Sequence, residues 1–248
     1  MKNALTIARK EIKVYFVSPV FFIVTALFIL ASGFFFAINT LQSQTVSIST
    51  TFSIILFIMI LLAPLLTMRL IAQEKGEGTL ELLFSHPIRD VELIAGKFAA
   101  AMVIYLALLA TTLIQVLVPL FTAVDKHQFL FLNLGTVDWA TLGVAYLGNF
   151  LIIGSYLAIG LLASSLTRNQ IIAAVIAFVA LLILLVIDGA GALAQPPLSD
   201  FLSQLGPRAH ADNFSKGTLG LFDVVYALSL IVVPLYLAVV ALGARRWH

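Results

Sequence analysis

Charged side chains are scarce in this sequence, and nine of the 26 fall in one stretch, RLIAQEKGEGTLELLFSHPIRDVELIAGK, residues 69–97. They are Arg69, Glu74, Lys75, Glu77, Glu81, Arg89, Asp90, Glu92 and Lys97. At the centre of a bilayer each would cost roughly 2.5–3.5 kcal/mol on insertion scales. Together they would cost on the order of 20–30 kcal/mol, so the stretch belongs in water or at an interface. Gly76 and Gly78 can break a preceding helix. Thr79 can cap a short helix, TLELLFSH, that Pro87 stops, and Asp90 can cap the next one. Leu80, Leu83 and Phe84 share a face of that short helix, which leaves Lys75, Glu77 and Glu81 for water or a partner. Such a segment can pass force from a soluble protein to the spans beside it. A stiff linker that binds nothing fits the pattern equally well.

Other chemistry has few residues to work with. There is no cysteine, which excludes disulfides, thiolate metal sites and cysteine nucleophiles. His86, His127, His210 and His248 lie outside the apolar runs and lack H-E-x-x-H spacing. His86 reads as a helix-end residue and His210 as a polar loop residue. Asp188-Gly189 resembles half of an intramembrane aspartyl dyad, but no second aspartate lies deep in another span, so Asp188 is expected to end its helix at the interface. The five glutamates, Glu11, Glu74, Glu77, Glu81 and Glu92, fall on one predicted side, which argues against ion coupling through buried carboxylates.

The elements that must hold these residues are membrane spans. Of 248 residues, 61% are hydrophobic and 10% charged, against about 25% charged in a soluble domain. One all-α integral membrane domain over 1–248 accounts for this, and the net charge of +2 implies no nucleic-acid partner. No cleavable signal peptide is expected, because the first apolar run is too long for one. Residues 1–16 mix basic and apolar positions, with Leu5, Ala8, Ile12 and Tyr15 near helical spacing, and predict an amphipathic interface helix. A solvated basic terminus is the alternative. Spans are expected at 19–38, 52–70, 91–120, 139–165, 170–188 and 222–244, with the charged loop at 73–90. Pro64 should kink the second span, and Gly143, Gly148, Gly154 and Gly160 should let helices approach the fourth. Leu198, Phe201, Leu202 and Leu205 form a helical stripe after Pro196-Pro197, which predicts a short interfacial or re-entrant helix. Asp223 is a possible cap for the last span.

Basic residues orient the chain. With both termini and the 69–97 loop inside, eleven Lys and Arg are cytoplasmic, and only Lys126, Arg208 and Lys216 are outside.

Residues 61–98, LLAPLLTMRLIAQEKGEGTLELLFSHPIRDVELIAGKF, resemble the region between spans 2 and 3 of ABC-2 type transporter permeases. The matching positions are Glu74, Gly78, Thr79, Glu81, Leu83, Pro87, Gly96 and Lys97. Residues 205–217, LGPRAHADNFSKG, and a final span closing in Arg-Arg-Trp are similar to the subgroup associated with gliding motility.

The resemblance implies a permease in the plasma (inner) membrane with both termini cytoplasmic. It implies two permease units, identical or paralogous, working with cytoplasmic ATPase subunits that bind ATP and magnesium. The helix near 79–86 would dock into the ATPase. Glu74, Lys75, Glu77, Thr79, Leu80, Glu81, Leu83, Phe84, Pro87 and Arg89 would form the coupling surface, and residues 195–218 would be external re-entrant helices. Independently of the family, the chain has no G-x-x-x-x-G-K-[ST] loop, so it has no such route to hold ATP; no catalytic, cofactor or metal residue is expected. Export is the expected direction. A passive channel, a membrane anchor for a larger complex and, behind both, an intramembrane hydrolase are the alternatives.

Overall fold

The computed structural model describes residues 2–43, 48–80, 88–122, 128–129, 132–133, 139–193, 195 and 198–244. The chain opens with helix α1 (Lys2–Val17) and helix α2 (Pro19–Ser43), separated only by Ser18. Ser18 Oγ accepts the Val20 N–H at 3.3 Å, and Pro19 takes the first helical position, where its missing donor costs nothing. Helices α3 (Ile48–Thr67) and α4 (Ala72–Gly76) follow, and then the long α5 (Asp90–Thr122). Two short antiparallel strands come next, β1 (Gln128–Phe129) and β2 (Leu132–Asn133). They are the one departure from an all-helical fold among the described residues. The chain continues through α6 (Trp139–Leu166), α7 (Gln170–Leu193), α8 (Leu198–Leu205), α9 (Pro207–Ser215) and α10 (Leu221–Gly243). Asn169 caps α7 by accepting the Ile171 N–H at 2.8 Å.

Among the described residues, six helical segments are long and apolar enough to cross a membrane: Pro19–Gln42, Ser49–Gly76, Asp90–Gln115, Trp139–Leu166, Gln170–Gly191 and Leu221–Gly243. Their ends differ from those expected where polar residues stay helical. Asn39, Thr40 and Gln42 prolong α2 beyond residue 38. Asp188 sits inside α7 rather than at its end.

The second crossing is broken earlier than Gly76. The regular helix stops at Thr67, just after Pro64 removes a donor from the ladder. Residues 68–71 form a turn before α4 begins. Ser164 of α6 bridges this break. Its hydroxyl accepts the N–H groups of Ile71 and Ala72 at 3.1 and 3.0 Å and donates to the Met68 carbonyl at 3.1 Å. The backbone groups that the break frees are thereby satisfied inside the protein.

Helix α6 is the hub, packed against α10, α3, α7, α9 and α5. With α3 and α5 it forms the inner layer, while α2, α7 and α10 turn most of their apolar side chains outward. Several close approaches depend on a missing Cβ, two of them between helices that frame the coupling region. A Cβ at Gly160 would lie 2.1 Å from Thr67 Oγ1, and one at Gly96 of α5 would lie 2.7 Å from the Ala4 carbonyl of α1. Of the other three glycines expected to admit neighbours, Gly148 and Gly154 do so, and Gly143 faces open space. Polar pairs tie the layers together inside the apolar slab. Gln115 Nε2 donates to Ser32 Oγ at 3.0 Å, the Thr112 and Tyr146 hydroxyls meet at 3.0 Å, and Tyr105 donates to Asn149 Oδ1. Such interhelical bonds contribute roughly 0.6–2 kcal/mol each.

Candidate coupling site

The charged stretch does not hang free of the helices. Lys97, one turn into the apolar part of α5, is 1% exposed. Its Nζ lies 2.9 Å from Glu11 Oε1 of α1 and 2.9 Å from Glu74 Oε2 of α4. Lys10 closes the group from the surface, 3.3 Å from Glu74 Oε1 and 3.8 Å from Glu11 Oε1. Two cations and two carboxylates therefore bolt three helices together. A lone buried ammonium would be prohibitively costly, and this arrangement neutralises it.

The network decides which face of α1 turns inward. The sequence pattern assigned Leu5, Ala8, Ile12 and Tyr15 to one stripe. The buried face is instead Ile7, Ala8, Glu11 and Tyr15. Glu11 turns in because Lys97 waits there, and Leu5 turns out, 57% exposed. Tyr15 donates to the Leu66 carbonyl near the end of α3, and burial pushes its phenol above the ordinary value.

The other expected coupling residues divide. Lys75 is buried, with its Nζ on the Ser165 carbonyl, so it anchors α4 to α6 and is not left for water. Glu77 is exposed and receives the Gln73 amide at 2.8 Å. Gln73 Oε1 in turn accepts from Arg69 Nε at 3.1 Å, and Arg69 also donates to Ser18. Gly78 turns the chain with φ 72°, a left-handed backbone. Thr79 Oγ1 lies 3.4 Å from the Glu74 carbonyl, and Leu80 is buried in the core. Glu81, Leu83, Phe84, His86 and Pro87 lie outside the described residues. Arg89, not Asp90, precedes α5: its carbonyl accepts the Leu93 N–H at 3.1 Å, and its own N–H points back to Glu92 Oε2 at 3.4 Å. Asp90 belongs to the first turn. A cavity of about 250 Å³ between α1 and α4 is walled by Lys10, Glu11, Arg69, Gln73, Glu74, Glu77, Thr79 and Lys97, so the candidate coupling segment carries a polar recess beside the network.

A family model described as ABC-2 family transporter protein matches residues 5–247. The chain belongs to that family. A search of curated proteins finds no match. Family membership makes it the membrane-spanning permease subunit of an ABC transporter, in a family that generally works with a separate ATPase subunit.

At the other end of this ABC-2 permease lie groups that the sequence pattern placed poorly. His210 is buried, not a solvated loop residue, with Nδ1 2.5 Å from Asp223 Oδ1 and Nε2 3.0 Å from the Gln204 carbonyl. Asp223 does not cap α10; the cap position is Gly220, and the Asp223 carboxylate is spent on His210 and Asn213. Asp188 accepts the backbone N–H of Arg208 and presses against Gly206, so it caps the start of α9 rather than ending α7. Asp188 and Arg208, with Thr50 and Ser53, are the polar part of the lining of a mainly apolar cavity of about 300 Å³, whose walls include Phe35, Leu56, Phe57, Ile60, Tyr156 and Leu185 from α2, α3, α6 and α7. Glu11 and Lys97 lie on helices far apart in sequence, which is why spacing alone did not reveal their pairing, whereas His210 and Asp223 lie on consecutive helices and were read singly, as loop and cap.

Proposed function

We propose that this permease is the passive half of an ATP-driven exporter in the plasma (inner) membrane. It pairs with a second permease unit, identical or paralogous, and binds the cytoplasmic ATPase through residues 73–90. ATP and magnesium stay on the ATPase, and both termini are cytoplasmic. The observation that carries this reading is the Lys97 network. A pull or push on the 73–90 segment reaches Glu74, and Glu74 shares Lys97 with Glu11, so α1 and α5 must follow. The break at residues 68–71, clasped by Ser164, gives α3 a joint at which the same movement can bend it.

The apolar cavity between α2, α3 and α7 lies where a bending α3 would change its volume. About 300 Å³ is at the lower end of small-molecule sites. An apolar wall with Asp188 and Arg208 in its lining suits an amphiphilic cargo with a polar head. Residues 205–217 and the closing Arg-Arg-Trp favour the gliding-motility subgroup on sequence similarity alone.

Co-purification tests the coupling. Glu81→Lys and Leu83→Asp, on the expected docking helix, should each abolish recovery of the ATPase with the tagged permease while the permease stays inserted. Recovery of an intact complex from both variants would remove the docking role.

A further inference from the structure

The His210 cluster does nothing in the coupling scheme, yet its chemistry is specific. The Gln204 carbonyl can only accept, so Nε2 of His210 must carry a proton. Asp223 takes Asn213 Nδ2 on both oxygens, at 3.1 and 3.3 Å, besides meeting His210 at 2.5 Å. At 2.5 Å one proton must lie between Nδ1 and Asp223 Oδ1, because two facing lone pairs would repel, and the Asn213 amide on both oxygens favours the carboxylate form of Asp223 and with it the imidazolium form of His210. Two further contacts suit a cation. Tyr226 stacks on the ring at 3.9 Å between centroids, presenting its negative face. Gln204 and Leu205 are the last carbonyls of α8, the negative end of that helix, and Tyr226 Oη donates to the second at 2.6 Å.

We infer that His210 and Asp223 form a proton-dependent latch that fastens the α8–α9 pair onto α10. Three helices meet at the ring: α9 supplies it, α10 its carboxylate and α8 its carbonyl, while the Asn213–Asp223 and Tyr226–Leu205 bonds span the same seam without its proton. Removing one proton leaves a ring lone pair facing either the carboxylate or the carbonyl, and a held contact becomes a repulsive one. The latch is therefore closed while the ring is protonated and opens as pH rises. Among the residues whose side chains are described, the other ionisable groups around it are few. Arg208 and Asp212 share its helix, and Asp188 of α7 interacts electrostatically with both and with His210. Tyr156 of α6 interacts with Asp188 and Tyr226. Helix α3 brings no ionisable side chain. Because Arg208 also lines the apolar cavity, opening the latch loosens part of the wall around the space assigned to cargo.

The test uses the full chain purified in detergent, which makes it independent of orientation in the membrane and of any ATPase. The natural sequence has no cysteine, so Ala211→Cys gives one thiol on the buried face of α9, and Leu219→Cys gives an exposed reference. The readout is the maleimide labelling rate at position 211 divided by that at 219, compared between the otherwise natural chain and Asp223→Asn so that the higher pKa of the buried thiol enters both alike. Between about pH 5 and about pH 8, the range over which imidazoles lose their proton, the ratio should rise roughly tenfold or more. Asp223→Asn should hold the ratio low at every pH, because a neutral ring can accept from the new amide while Nε2 still serves Gln204. His210→Ala should hold it high at every pH. A ratio that stays flat with pH in the otherwise natural chain overturns the latch, and so does a rise with pH that survives Asp223→Asn.

Discussion

At the scale of single residues, Lys97 shows how one side chain can set the geometry of three helices. Its ammonium is buried between Glu11 and Glu74, so nothing but those carboxylates balances it. Replacing it by methionine keeps the volume and removes the charge. Glu11 and Glu74 are then left close together with only Lys10 at the surface, and breaking a buried ion group in this way costs about 3 kcal/mol. Lys97→Met should therefore melt at a clearly lower temperature in detergent. Adding Glu11→Gln and Glu74→Gln should recover most of the loss, because the stranded charges are gone. Equal melting of the natural chain and Lys97→Met would mean that water already reaches the cluster. Gly96-Lys97 was legible in the sequence as a motif ending, and its reason is visible only in space: the glycine admits α1, and the lysine bonds to it. Glu11 was not legible. A lone glutamate in a basic segment reads as solvated, and only its partner, far along the chain, turns it inward.

At the scale of elements, the joint in the second crossing matters most. Long apolar runs made the spans readable, since length and hydropathy alone determine what can sit in a bilayer. The break at residues 68–71 was hidden, because it depends on α6 offering Ser164 at the right height. Gly76 and Gly78 were the expected breakers, and Gly78 does turn the chain, but later. Ser164→Ala would strand two buried N–H groups and one carbonyl, with a penalty of about 1–3 kcal/mol for each group left unsatisfied. Its neighbour offers a control. Among the described residues, Ser165 Oγ bonds only to the Leu162 carbonyl of its own helix, at 2.7 Å. Ser164→Ala should lower the melting temperature, and Ser165→Ala should leave it nearly unchanged. Similar melting of both variants would show that the turn needs no clasp. The short helices α8 and α9 follow the same lesson. The apolar stripe at Leu198–Leu205 announced one helix, but the fastening of both to α10 passes through His210 and Asp223, polar residues that a sequence window treats as loop and cap.

At the scale of the whole molecule, the two ends carry different kinds of charge. One end holds the Lys10–Glu11–Glu74–Lys97 group and the Arg69–Gln73–Glu77 chain, next to the segment assigned to the ATPase. The other holds Asp188, Arg208, His210 and Asp223 around the short helices. The uneven division of lysine and arginine, eleven to three, predicts that the first end faces the cytoplasm. On α1, Leu5, Val14, Phe16 and Val17 are exposed apolar residues beside Arg9 and Lys13, a surface suited to lying in the interface on that side. Glu77 and Lys216 are exposed at opposite ends, and the natural chain needs no cysteine removed. In intact cells an impermeant maleimide should label Lys216→Cys readily and Glu77→Cys only after lysis. The reverse pattern would invert the permease and place the coupling segment where no cytoplasmic ATPase could reach it. Labelling of both before lysis would instead mean that the position 77 end is open to the outside through the protein, the behaviour of a channel rather than of a pump driven from within.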